Sequence, residues 1–208
     1  MRRLLLSALL LTASLGRAEA QSSFHLEPTF GIAKTTPAGE QSSYIEGSTG
    51  YRAGLGLRYT RRQVALTTGL FYQSAGYQYL FIHTLAHYVT LPLTVGLQIG
   101  VGKHAAIIPS IGVEAVSLEK TKETYSERQP NQPGINLTRE GRFFYERSLY
   151  GMFQVRFQHA LTRNTAFFVS PVVRYGLTSF EASPNRFLFL KQTYFLMLGA
   201  DAGVSIKL

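Results

Sequence analysis

Residues 193–208 read Thr-Tyr-Phe-Leu-Met-Leu-Gly-Ala-Asp-Ala-Gly-Val-Ser-Ile-Lys-Leu. Tyr194, Leu196, Leu198, Ala200, Ala202, Val204, Ile206 and Leu208 share one parity, while Phe195, Met197, Gly199, Asp201, Gly203, Ser205 and Lys207 share the other. Successive side chains of a strand point to opposite faces, so this stretch is a strand between two different solvents. One face is wholly apolar and the other mostly small or polar.

The same period of two recurs in seven earlier segments, near 24–32, 51–59, 64–73, 89–99, 107–115, 149–158 and 167–178. The pattern predicts eight strands. Their connections alternate in length: 35–50, 78–87, 119–141 and 179–190 are long and polar, while 61–63, 101–104 and 161–164 are short. Long loops on one rim and tight turns on the other describe an all-β, eight-stranded antiparallel up-and-down transmembrane β-barrel. An even strand number puts both termini on the short-turn side, which would be the periplasm.

A soluble eight-stranded barrel alternates too, with its apolar face inside. Charge placement decides between the two. Glu27, Arg52, Arg58, Glu114, Arg156, Arg174 and Asp201 all lie within the strands, on the parity that also carries Gly, Ser and Thr. A narrow tube accommodates small residues and balanced charges, whereas an Arg facing lipid costs about 2–4 kcal/mol at the bilayer midplane. The seven charges are therefore expected inside as a structural lumenal cluster, with the aliphatic parity toward lipid. Tyr51, Tyr59, Tyr72, Tyr88, Tyr194, Phe143, Phe144 and Tyr145 fall near strand ends, as interfacial girdle aromatics do. Pro28, Pro92, Pro109 and Pro171 oppose the scheme, because a closed barrel has no edge to hide a missing N–H. Each is expected at a bulge or near a rim.

Composition narrows the remaining classes. The 208 residues carry 21 Lys and Arg against 12 Asp and Glu, with no Cys and no Trp but 26 Tyr and Phe. Such aromatic content excludes a disordered chain. The lack of Cys excludes a disulfide scaffold, a thiolate metal site and a Cys nucleophile. The excess of +9 is scattered rather than blocked, so no nucleic-acid partner is expected. At the N terminus, Arg2-Arg3, the apolar run Leu4–Leu11 and Ala18-Glu19-Ala20 have the layout of a signal peptide. Residues 1–20 are read as that signal peptide and 21–208 as the barrel domain. No stretch approaches the length of a helical span.

Tyr88-Val89-Thr90-Leu91-Pro92-Leu93, followed by Gly96, the Gly102-Lys103-His104 turn and Pro109-Ser110-Ile111-Gly112, resembles the PorT-like outer-membrane β-barrel domain family of Bacteroidetes-type bacteria. The closing Gly199–Leu208 resembles that family's last strand, and Arg174-Tyr175-Gly176 is compatible with it. A chain ending in Leu208 rather than Phe points the same way. The resemblance spans essentially the whole of 21–208. It implies the fold and a bacterial outer-membrane location, and little about activity.

Motifs of chemistry are sparse. His83 and His87 lack the Glu of a helical zinc-protease motif, no G-x-S-x-G occurs, and Gly54-x-Gly56 and Gly100-x-Gly102 have no βαβ context. Asn136-Leu137-Thr138 matches a glycosylation sequon that has no meaning in a bacterium. No His has Ser two residues later, as a lipid A deacylase of the barrel type would require. No metal, cofactor or enzymatic activity is expected. Phe71, Tyr150, Met152, Arg52, Arg156 and Arg174 would fill a tube only wide enough for side chains, which favours a plug over a pore. The reading is a non-enzymatic outer-membrane barrel that supports the envelope or binds partners through loops 35–50, 119–141 and 179–190. The alternatives are an accessory component of a secretion or transport machine, a lipid-A-modifying enzyme and a narrow pore.

Overall fold

The computed structural model describes residues 22–38, 45–79, 82–127, 135–141, 147–178 and 194–208. Residues 1–20, read above as a signal peptide, Phe143–Tyr145 and the segment 179–190, expected as a loop, lie outside the described residues. Eleven strands are formed: β1 (Ser22–Ala38), β2 (Ile45–Gly47), β3 (Thr49–Arg61), β4 (Val64–Tyr79), β5 (Ile82–Leu97), β6 (Ile99–Val101), β7 (Ala105–Glu127), β8 (Ile135–Gly141), β9 (Arg147–Ala160), β10 (Thr165–Gly176) and β11 (Tyr194–Lys207). Eight of them, β1, β3, β4, β5, β7, β9, β10 and β11, pair antiparallel with their sequence neighbours. Pairing of β1 with β11 and of β4 with β5 closes the ring. The fold is a closed eight-stranded antiparallel barrel, as the alternation predicts. β2, β6 and β8 extend the walls.

The outer face is apolar and the inner face is not. Ile111, Leu93 and Leu70 are 64%, 58% and 58% exposed, and Leu55, Phe153 and Leu198 share their outward side. All seven strand charges named above are buried inside. This arrangement inverts that of a soluble barrel. A continuous apolar belt of this size on a monomer marks contact with lipid or a partner. Tyr51 and Tyr72 lie exposed at the belt's edge, with ring centroids 6.4 Å apart. Tyr88 corrects the expected girdle: it is 8% exposed and points inward. Its parity is that of Thr90 and Thr94, which are also inside.

Two of the expected long loops are largely strand. β4 runs to Tyr79 and β5 begins at Ile82, so 78–87 is nearly all paired hairpin. The segment 119–141, expected as a long polar loop, instead carries β7 out to Glu127, where β8 pairs with it from Thr121 onward. Much of 35–50 is likewise strand, in β1, β2 and β3. Beyond the apolar belt the outward residues are polar, as at Gln78, His83 and Lys122, so the apolar parity disappears while Thr and Tyr still favour extended backbone. The shift of partner along β7 occurs at a bulge. Tyr88 pairs with Leu118 and His87 with Lys120, leaving Glu119 as the extra residue. The bulge reverses the parity, so the inward series Val116, Leu118 continues at Thr121, which is fully buried.

The prolines need no bulge. Leu26 pairs with Ile206 and Thr29 with Gly203 in one register, with the ladder toward β11 interrupted only at Glu27 and Pro28, while Pro28 keeps its place opposite Leu55 on β3. Pro92 leaves the same kind of gap toward β4 and pairs with Glu114 on β7. Pro171 does so toward β9 and pairs with Ala200 on β11. Pro109 faces the break between β5 and β6 and pairs with Val155. In an antiparallel strand each residue directs both backbone groups to one neighbour. A missing donor therefore opens one ladder and spares the other.

Candidate functional site

Among the described residues, buried charged side chains converge in the lumen. Glu27 sits on β1 near the rim of tight turns. Arg156 Nη1 donates to its Oε1 at 2.6 Å and Arg58 Nε lies 2.9 Å from the same oxygen. Arg58 Nη2 also donates to Ser205 Oγ at 3.0 Å, and that hydroxyl lies 3.2 Å from His25 Nδ1. Higher in the tube, Glu114 of β7 receives Arg52 through one oxygen, and Arg174 Nε lies 2.9 Å from the other. Arg174 Nη2 donates to Asp201 Oδ2 at 3.0 Å. These two residues are not opposite each other in the ladder, since Arg174 faces Met197 and Asp201 faces Ser170. The length of the arginine spans that diagonal. The seven residues thus form two clusters, an upper one with balanced charge and a lower one with one cation in excess.

Each cluster rests on an aromatic ring laid over glycine. Arg52 Cζ lies 4.0 Å from the centroid of Phe71, and Arg156 Cζ lies 4.1 Å from that of Phe168. Phe71 faces Gly54 across the β3–β4 ladder, and Phe168 faces Gly203 across β10–β11. A Cβ at Gly54 would stand 2.6 Å from the Phe71 ring, and one at Gly203 would stand 2.7 Å from the Phe168 ring. Only glycine lets the rings lie that close to the wall. Each ring in turn offers its π-face to a guanidinium, a contact that strengthens when water is excluded.

Above the upper cluster the lumen becomes apolar. Ala75, Tyr77, Ala86, Tyr88, Val116, Leu118, Tyr150, Phe195 and Met197 pack as one buried core, with Tyr77 stacked on Phe195 at 5.9 Å. Gln73 joins the two layers, accepting from Arg52 at 3.4 Å and donating to Met197 Sδ at 3.1 Å. The space between the ionic clusters is about 30 Å³. A second void within the apolar cap is about 10 Å³. A water needs roughly 10–15 Å³ of such space, so the first void has room for two or three waters and the second for about one.

Phe71, Tyr150 and Met152 point inward as their parity predicts. Phe168, Gln73 and much of the apolar cap are not singled out by charge, although all lie on the inward parity. The His25–Ser205 contact joins residues 180 apart in sequence, and no local motif signals it. It lacks the features of a nucleophile and base. Ser205 is 1% exposed and already accepts from Arg58, and the second ring nitrogen of His25 meets Ser23 Oγ at 2.9 Å rather than a carboxylate. His87 stacks on Tyr72 at 5.6 Å, and among the described residues no three potential metal ligands come together.

No protein-family model matches the chain, and no curated protein matches it in sequence. The PorT-like resemblance therefore rests on its motifs alone. Solved structures do match in fold. A major outer membrane protein from Thermus thermophilus is 14% identical with a TM-score of 0.53, over 90% of this chain and 99% of that one. The outer membrane protein OprG from Pseudomonas aeruginosa is 12% identical with a TM-score of 0.52, over 92% and 98%. Neisserial surface protein A is 11% identical with a TM-score of 0.50, over 90% and 99%. The architecture is that of small outer-membrane barrels.

Proposed function

We propose that this chain is a bacterial outer-membrane barrel whose lumen is a structural plug and whose work is done by its outer surfaces. The observation that carries the reading is the inverted polarity: charges ion-paired inside, a belt of exposed Leu, Ile, Val and Phe outside. In water such a belt would drive aggregation, whereas a hydrocarbon layer solvates it. In this reading the tight turns and both termini face the periplasm and the extended β4–β5 and β7–β8 hairpins project outward. The role is non-enzymatic, in envelope integrity or partner binding through the long-strand rim. The PorT-like motifs favour a second reading, an accessory component of a secretion or transport machine.

The test is fractionation and refolding. The protein should be found with outer membranes, fold only in detergent or lipid, and migrate differently on gels before and after heating. A soluble monomer recovered without detergent would defeat the reading.

A further inference from the structure

The rim of tight turns carries Arg61, Arg62, Lys103, Arg163 and Lys207, all exposed. Among the described residues no exposed Asp or Glu side chain lies at that rim; Glu27, the nearest, is buried in the lumen with Arg58 and Arg156. The opposite rim is mixed, with exposed Lys34, Glu46, Glu119, Lys120 and Lys122. One turn of the basic rim stands out on its backbone. Arg62 has φ 55°, a left-handed position in a two-residue hairpin turn where Gly or Asn is usual. A bulky side chain held in such a conformation is a pointer to a role for that side chain.

Arg61 and Arg62 form one end of an open groove of about 490 Å³, completed by Tyr59, Val64 and Leu66. The ladder sets their order: Arg61 faces Val64, Tyr59 faces Leu66, and Leu55 faces Leu70 farther into the belt. Phe24 braces Tyr59, with ring centroids 4.9 Å apart. Two guanidinium groups, then a phenol, then an aliphatic track reproduce the polarity sequence of an anionic amphiphile. Guanidinium forks match the oxygens of a phosphate, and Tyr favours the headgroup level.

We propose that Arg61 and Arg62 hold the phosphate of an anionic phospholipid, of the phosphatidylglycerol class, in the leaflet beside the tight turns. An acyl chain lies along Tyr59, Leu66, Leu55 and Leu70. The proposal rests on the membrane reading above. It commits the basic rim to the phospholipid leaflet and explains why that rim exposes no Asp or Glu side chain.

The test uses the mature chain refolded into nanodiscs of equimolar phosphatidylglycerol and phosphatidylcholine. Lipids retained after detergent extraction are counted by native mass spectrometry. The wild type should retain phosphatidylglycerol in preference. Arg61→Gln with Arg62→Gly should lose that preference by about five-fold per cation removed, while folding at least as well on gels, because glycine relieves the left-handed turn. Equal retention of both lipids by the wild type, or an undiminished preference in the variant, would overturn the proposal. So would displacement of phosphatidylglycerol by added lipid A, which would assign the site to the other leaflet. Failure to insert into any bilayer would remove the membrane reading itself, whereas insertion without discrimination removes only this site.

Discussion

Glu114→Ala is the most informative single change to the lumen. Glu114 is 1% exposed and holds two arginines, Arg52 and Arg174, which are 2% and 1% exposed. Arg174 would keep Asp201. Arg52 would keep only the ring of Phe71 and a 3.4 Å contact with Gln73. Removing one partner of a buried pair costs about 3–5 kcal/mol, because the other charge is left desolvated. Asp201→Ala strips one hydrogen bond from an arginine that retains Glu114, so it should cost less, about 1.5–3 kcal/mol. With no Trp to report on folding, the folded fraction is best read from gel mobility across a urea series in vesicles. At a slope of about 2 kcal/mol/M, the Glu114 variant should lose roughly 2 M of midpoint. Adding Arg52→Leu to it should recover part of the loss by removing the orphaned charge. A midpoint unchanged by Glu114→Ala, a larger loss from Asp201→Ala, or a further loss on adding Arg52→Leu would each refute the ion-paired plug.

Ser205→Ala should also be destabilising, by about 0.5–1.5 kcal/mol for a lost hydrogen bond, because Ser205 accepts from Arg58; an unchanged urea midpoint would speak against that contact. Purified protein in planar bilayers should show no steady conductance, and stable single-channel steps would promote the lumen from plug to pore. Trypsin added to intact cells should leave Lys103 and Arg163 uncut, and in the detergent-folded barrel Lys120 and Lys122 should resist because β7 is paired there; peptide mapping that finds cuts at the first pair would invert the proposed topology. Leu93→Arg, in the middle of the belt, should lower stability in lipid by about 2–4 kcal/mol, and an unchanged midpoint would mean that this face does not meet hydrocarbon.

Parity made the barrel legible, because a period of two survives any uncertainty in strand ends. It also fixes the inward direction of Glu27, Arg52 and the other strand charges. Partner choice was less accessible. That Glu27 receives both Arg58 and Arg156 depends on the stagger of strands around the tube, which no single segment encodes. The extended hairpins resemble loops in sequence because apolar content, the mark of a strand in the belt, fades where the outer face leaves it. The chemical type of Tyr88 suggests an interface, but its parity with Thr90 puts it inside. Phe168 shares the inward parity of Arg174, but charge does not single it out. The lumenal glycines were legible as small residues, but their use as floors for Phe71 and Phe168 requires the cross-strand register.

The proline gaps matter most before the barrel exists. Once closed, the ring presents no free strand edge. During transit every one of its strands is an edge, rich in β-forming residues and able to add to a copy of itself. Pro28, Pro92, Pro109 and Pro171 each delete a donor from the middle of such an edge, so no strand that carries one can template an uninterrupted ladder. In the finished barrel the same deletions leave gaps on one side only and shift no register. These prolines act as gatekeepers for a molecule that must stay unpaired until it reaches its membrane. Pro28→Ala with Pro171→Ala should aggregate faster on dilution from urea without lipid, measured by light scattering, and unaltered aggregation would leave the prolines without that role.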